Sequence, residues 1–345
     1  ESHAASFARL VYISAWLKCH HQAVFTCALL NSQPMGFYAP AQLVRDARDH
    51  GVEVRPISVN HSFWDCTLEP RPDGALALRL GFRQIKGMRE EDAIWIAAAR
   101  GNGYPDVESL WRRAGVHADA LERLAEADAF AAIGLNRRDS LWAAKALKAP
   151  APLPLFGSDG EGAAEPDVKL PQMTLGQEVI EDYLSLRLSL RAHPMELLRP
   201  RLTESLAHDR LPQASGRITV TGLVITRQRP GTASGVIFLT LEDETGTANV
   251  VVWKKVYETF RKAVIAGRLV SVTGRIERDG PVTHLIAERV EDVSPLLATL
   301  GRPVLIPPND GRADETRRPT GGSRRPTARH PREQARKLFP SRDFH

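Results

Sequence analysis

Apolar side chains recur at helical spacing from the first residues of the chain. Ala4, Phe7, Ala8, Leu10, Val11, Ala15, Leu17 and Val24 fall on successive turns, which predicts one or two helices over residues 4–30. Pro40 stands where a helix can begin and Gly51 just past where it would end, bracketing "AQLVRDARDH". Alternation then takes over in "VEVRPISV", "FWDCTLE" and "ALALRL", the last two forming a hairpin through Arg71-Pro72-Asp73-Gly74. From Gly87 to about Leu147 helical spacing returns in short pieces separated by Gly, Pro and Asn. The stretch "KAPAPLPLFGSDGEGAAEPD" breaks the pattern and reads as a linker. A helix carrying "EVIEDYLSLRLSL" then leads to His193-Pro194, and a connector ends near Arg217.

Residues 217–293 alternate with period two and are rich in β-branched side chains. "RITVTGLVITRQ", "GVIFLTLED", "TANVVVW", "RLVSVTGRI" and "THLIAERVEDV" predict five strands, with the helix "KKVYETFRKAVIAG" between the third and fourth. That order is the one of an OB-fold barrel.

With 345 residues, 43% apolar and 25% charged, the chain has the mixture of a soluble protein and the length for two or three domains. No run of eighteen or more apolar residues occurs, so no membrane-spanning segment or membrane partner is expected. No initiator Met and no charged-then-apolar leader opens the chain, which begins as if in mid-helix. Three cysteines, Cys19, Cys27 and Cys66, give no disulfide framework and fit a reducing cytoplasm. "CHHQAVFTC" invites a zinc reading, but it lacks a C-x-x-C knuckle and a second ligand pair, so buried thiols on a helix are expected and no metal. Ten Lys and Arg against five Asp and Glu lie between Asp310 and His345, so the net charge of +5 falls entirely in that Pro/Gly/Arg-rich tail. The tail reads as disordered, and either solvated or in weak contact with nucleic acid.

The barrel's first connecting loop begins in "TRQRPG", which makes Arg227 and Arg229 candidate phosphate contacts, joined by Lys254 and Lys255 after the third strand. Phe238 and Trp253 are available for stacking on bases, although Phe238 is expected to face the core. "GFRQIKGMREEDAIWIAAARG" and "FAAIGLNRRDSLWAAKALKA" share the layout of a helix-hairpin-helix, in which a glycine lets backbone N–H groups approach a DNA phosphate. Gly87 and Gly134 fill that role, and Lys86, Arg89, Arg137 and Arg138 flank them. The hairpin's usual second glycine is Arg89 in one copy and Asn136 in the other. Arg tolerates the left-handed conformation poorly, which leaves a plain packing corner open for the first copy.

Catalytic constellations are missing. No Asp-x-Asp, Walker loop, G-x-S-x-G or H-E-x-x-H occurs; "REED" and "LEDE" read as helix-start charges and a strand-end turn. No catalytic residue is expected in this stretch.

"ESHAASFARLVYISAWLKCHH" and "LLNSQPMGFYAPAQLVRDARDHGVEVRP" resemble the fingers region of bacterial C-family replicative DNA polymerases. "LLNSQPMGFY" and the closing "SRDFH" are similar to the error-prone, ImuC-type branch of the DNA polymerase III alpha-like subunits. The resemblance implies a multidomain α+β chain. Residues 1–82 would end a mainly helical fingers domain, 83–149 form tandem helix-hairpin-helix repeats and 150–216 a linker with a connecting helix. Residues 217–295 would be the OB-fold β-barrel and 296–345 the disordered basic tail. It implies a carboxyl-terminal part of an error-prone DNA-directed DNA polymerase of damage-induced synthesis, inactive alone. Mg²⁺ would be held by palm aspartates outside this chain, and Ser2 and His3 would lie near the incoming nucleotide. The implied partners are duplex and single-stranded DNA, damage-response accessory proteins and the sliding clamp. For the clamp, Leu153, Leu155 and Phe156 keep the apolar end of the family's clamp-binding peptide without its Gln. A non-catalytic DNA-binding accessory module of the same two folds is the alternative.

Overall fold

The computed structural model describes residues 2–35, 38–147, 170–230, 235–280, 282–301 and 342–344, with Ser2 and 342–344 described by backbone alone. Leu153, Leu155, Phe156 and the tail over 302–341 lie outside the described residues. The chain divides into two compact units, residues 1–173 with 181–191 and residues 174–180 with 192–345.

In the first unit the predicted opening helices are α1 (Ser2–His20) and α2 (Gln22–Asn31). Pro40 takes the first turn of α3 (Pro40–Asp49), where its missing N–H costs nothing. Strand β1 is only Val54–Arg55, because Pro56 cannot donate to a ladder. It lies parallel to β3 (Leu76–Arg79), whose other side pairs antiparallel with β2 (Thr67–Pro70). Glu69 of β2 is gripped by Arg79 and Arg55, and the Arg79 hydrogen bonds lead in pulling its carboxyl down to about 2. Four short helices follow: α4 (Glu90–Ala98), α5 (Val107–Ala114), α6 (Ala118–Glu126) and α7 (Arg137–Ala146). They close over a core that includes Phe82, Ile96, Tyr104, Leu110, Leu121 and Phe130. Cys27 is the buried thiol expected of α2; burial first, then the neighbouring Cys66, pushes it up to about 11, and it donates to the Cys66 carbonyl. Cys19 departs from that expectation and is exposed. So are Phe7, Leu10, Val11, Tyr12, Ile13 and Trp16 along α1.

Helix α8 (Leu175–Ser185) contains the boundary between the two residue ranges. The second unit is the barrel and the segment before it, which includes α9 (Pro194–Leu198). The strands are β4 (Arg217–Gln228), β5 (Ile237–Glu242), β6 (Thr247–Val252), β7 (Leu269–Asp279) and β8 (Val282–Asp292). Helix α10 (Lys254–Ala266) lies between β6 and β7, in the predicted place. Neighbours run β5-β6-β8-β7-β4, and β4 returns to β5 to close the barrel. A single strand can serve both partners because β4 shifts register between Val224 and Thr226. Its first half pairs with β7 and its second with β5. Val220, Leu239, Leu241, Val250, Val270, Val272 and Leu285 fill the interior. A three-residue strand, β9 (Arg342–Phe344), runs parallel beside Thr226–Gln228.

The β5–β6 turn is the strand-end turn read in "LEDE", organised by Asp243. This fully buried carboxylate accepts from the backbone of Thr245 (2.8 Å) and Gly246 (2.9 Å), from the His208 N–H (3.0 Å) and from Arg199 (2.7 Å). His208 lies against it, buried, with Nδ1 3.2 Å from the Gly246 carbonyl and Nε2 without a partner among the described residues.

Candidate nucleic-acid interface

Strand β5 alternates from Ile237 to Leu241. Ile237, Leu239 and Leu241 are buried, which turns Phe238 outward with 37% of its surface exposed. The expectation that Phe238 faces the core is corrected by this parity: three aliphatic neighbours at even spacing already fill the inner face. Trp253, the residue before α10, is likewise exposed.

The basic residues divide. Arg229 is exposed and sits over the Tyr257 ring, 5.5 Å from its centroid. Its guanidinium and the Lys254 stem both pass 3.8 Å from where a side chain on Gly235 would begin, so the two cations converge on the mouth between β4 and β5. Lys254 and Lys255 occupy the first turn of α10, and no acid shares it. A helix start is electropositive already and usually gathers carboxylates; two lysines there add to that positive charge instead of offsetting it. Arg227 behaves differently from the expectation. It pairs with inward-facing Leu239, is buried, and donates from Nε to the Val264 carbonyl (2.6 Å) and from its terminal nitrogen to the Gly267 carbonyl. Its charge serves the last turn of α10, whose carbonyls have no helical partners.

In the first unit the two hairpins share one backbone path. Gly87 and Gly134 have φ of +78° and +82°, and the second residue after each is an extended N-cap: Arg89 (φ −94°, ψ 141°) before α4 and Asn136 (φ −73°, ψ 167°) before α7. Neither therefore needs the left-handed conformation, which removes the objection to Arg89. Asn136 caps α7 by accepting from the Asp139 N–H. The copies differ in charge. Glu90, Glu91 and Asp92 fill the first turn of α4, whereas α7 opens on Arg137, Arg138 and Asp139.

Not all of these cations face outward. Arg137 is 3% exposed and ion-paired with buried Asp182, which also holds Arg191 (2.9 Å) and Ser189 (2.7 Å). A phosphate contact from Arg137 is thus corrected to an internal ion pair. Arg138 is half-buried and donates to the Pro171 carbonyl. Lys86 and Arg89 are exposed, and Arg123, which the sequence reading missed, lies 3.3 Å from where a Gly87 side chain would begin. Arg89, His117 and Arg123 share a cleft of about 340 Å³ with Asp92 and Asp119. On α6 the buried residues are Ala120, Leu121, Leu124 and Ala125, and Arg123, two residues from Leu121 and from Ala125, lies off that face and is partly exposed. His3 is exposed and packs on Phe7, ring centroids 4.4 Å apart; the Ser2 side chain lies outside the described atoms.

Among the described residues no cluster of three or more His, Cys, Asp and Glu side chains is placed to hold a metal. No helix there is long and apolar enough to cross a membrane.

Comparison with known proteins agrees with this geometry. Residues 51–140 match the helix-hairpin-helix motif family, and residues 218–293 match the OB-fold nucleic acid binding domain family. Along its whole length the chain is homologous to error-prone DNA polymerases. It is 65% identical to that of Ruegeria pomeroyi over 352 residues, covering 100% of this chain and 32% of the relative. It is 49% identical to that of Brucella abortus, covering 100% and 31%, and 48% identical to that of Sinorhizobium medicae, covering 94% and 32%. The chain thus spans about a third of the length of the curated relatives it matches. Among solved structures it is similar to the asparaginyl-tRNA synthetase of Pyrococcus horikoshii, at 29% identity and a TM-score of 0.23 over 26% of this chain and 23% of that one.

Proposed function

We propose that this chain, homologous throughout to the error-prone DNA polymerases, is the part of such an enzyme that grips the nucleic acid rather than the part that forms the new bond. The barrel takes the single-stranded template and the hairpins hold the duplex. The observation that carries the reading is the outward constellation of Phe238, Trp253, Arg229, Lys254 and Lys255 on one barrel. It combines aromatic faces for bases with cations for phosphates. The parent would add deoxynucleotides opposite damaged template in the cytoplasm, with Ser2 and His3 near the incoming nucleotide. Its Mg²⁺ would be held by carboxylates elsewhere in the longer protein. Accessory proteins of the damage response, and through them or through Leu153, Leu155 and Phe156 the sliding clamp, complete the assembly.

Fluorescence anisotropy with a labelled primer–template carrying a single-stranded overhang tests this. Binding should weaken steeply as salt rises. Replacing Phe238 or Arg229 by Ala should each lower affinity for the overhang by about fivefold or more. No binding at low salt would overturn the reading.

A further inference from the structure

We infer that Trp142, on α7, packs its indole against the sugars of a bound duplex and so extends the Gly134 hairpin's contact beyond the phosphate. The inference rests on the reading above that the hairpins hold duplex DNA. Counted from the hairpin glycines, the two copies run in step: Gly87 with Gly134, Arg89 with Asn136, Asp92 with Asp139, Trp95 with Trp142. Both tryptophans stand out of the core, 57% and 54% exposed, while Ala93 and Ile96 in α4 and Ser140 and Ala144 in α7 form the inward faces. The helix-hairpin-helix match ends at residue 140 and does not reach Trp142.

Packing explains neither ring, and charge separates them. On a helix, residues three and four apart share a face. Trp95 shares its face with Glu91 and Asp92, which repel a polyanion. Trp142 lies between Arg138, four residues before, and exposed Lys145, three after. Arg138 is anchored through the Pro171 carbonyl, and Asp139, three residues before Trp142, is engaged by the Asn136 amide. A cation, a wide aromatic face and a second cation in one stripe complement a sugar–phosphate backbone. The matching stripe on α4 does not.

The experiment uses this chain with a labelled blunt DNA duplex, comparing Trp142→Ala with Trp95→Ala as a control of equal exposure. Because both side chains are exposed, both variants should fold, and thermal melting checks this. Trp142→Ala should weaken duplex binding about tenfold with the salt slope unchanged, and Trp95→Ala less than twofold. Unchanged affinity in Trp142→Ala while the parent chain binds would overturn the inference and leave the duplex reading standing. So would an equal loss in Trp95→Ala, or a shallower salt slope in Trp142→Ala, which marks a lost phosphate contact instead. Failure of the unsubstituted chain to bind the duplex would overturn both readings together.

Discussion

The guanidinium of Arg227, on β4, donates through Nε to the carbonyl of Val264 in α10, 2.6 Å away inside the barrel. A residue that the sequence marks as loop-mouth charge is therefore a cap on a helix built later in the chain. Its neighbour two positions on, Arg229, has its charge outside, over Tyr257.

These two arginines should separate stability from binding. Arg227→Ala leaves the buried Val264 and Gly267 carbonyls without a charged donor and should cost about 2–4 kcal/mol in urea denaturation. Arg229→Ala should cost under about 0.5 kcal/mol while weakening single-strand binding. Equal destabilisation by both changes would contradict the inward placement of Arg227.

Asp182 carries the comparable burden in the first unit. Asp182→Ala leaves Arg137 charged and buried with its main partner gone, at a cost of about 3–5 kcal/mol. Pairing it with Arg137→Met should recover a large part of that loss, which a double-mutant cycle by chemical denaturation would measure. A double variant no more stable than Asp182→Ala would refute the assignment.

The two hairpin glycines should respond unequally to alanine. At Gly134 nothing lies within 4 Å of an added side chain, so only the positive φ is penalised, at about 1–2 kcal/mol. At Gly87 the same penalty is joined by a contact 3.3 Å from Arg123, so Gly87→Ala should be the more destabilising. Thermal melts of the two variants decide it, and the opposite order would sink the prediction.

Acid should loosen the barrel unit through His208. Burial is the main force holding its imidazole below the ordinary value of 6.5, so the folded state favours the neutral ring. The unfolded chain then binds the proton more readily, so the stability is fully present above pH 6.5 and is lost as pH falls below it toward the lowered value of the folded state. Asp243 facing it, Arg199, Glu244 and His193 with Glu242 share the neighbourhood. Denaturation across that pH range should show the decline, and His208→Gln should flatten it. An unchanged slope in the variant would assign the decline to the surrounding carboxylates.

Much of the fold was legible because periodicity carries it. The strand order of the barrel, the place of α10 and the hairpin through Arg71–Gly74 follow from alternation and turn chemistry alone. The facing of individual side chains was legible only where a run is long enough to fix parity. Phe238 was expected inward and stands outward, because Ile237, Leu239 and Leu241 take the inner face, while the register shift in β4 hides that Arg227 points in. Arg137 could not be read at all: its partner Asp182 lies across a linker, and a long-range ion pair leaves no local pattern. The shared backbone of Gly87 and Gly134 was visible in sequence, but the extended N-cap that makes Arg89 acceptable needed coordinates.

The division of β4 between two partners has a consequence for how the barrel is made. During synthesis its second half meets β5, the next strand in the chain, almost at once, whereas its first half must wait for β7, which emerges only after β5, β6 and α10. The helix that Arg227 caps is completed in that interval. The seam between β4 and β7 is therefore available on the ribosome only after the β4–β5 and β5–β6 ladders, and a nascent chain stalled before Leu269 holds the start of β4 without its β7 partner.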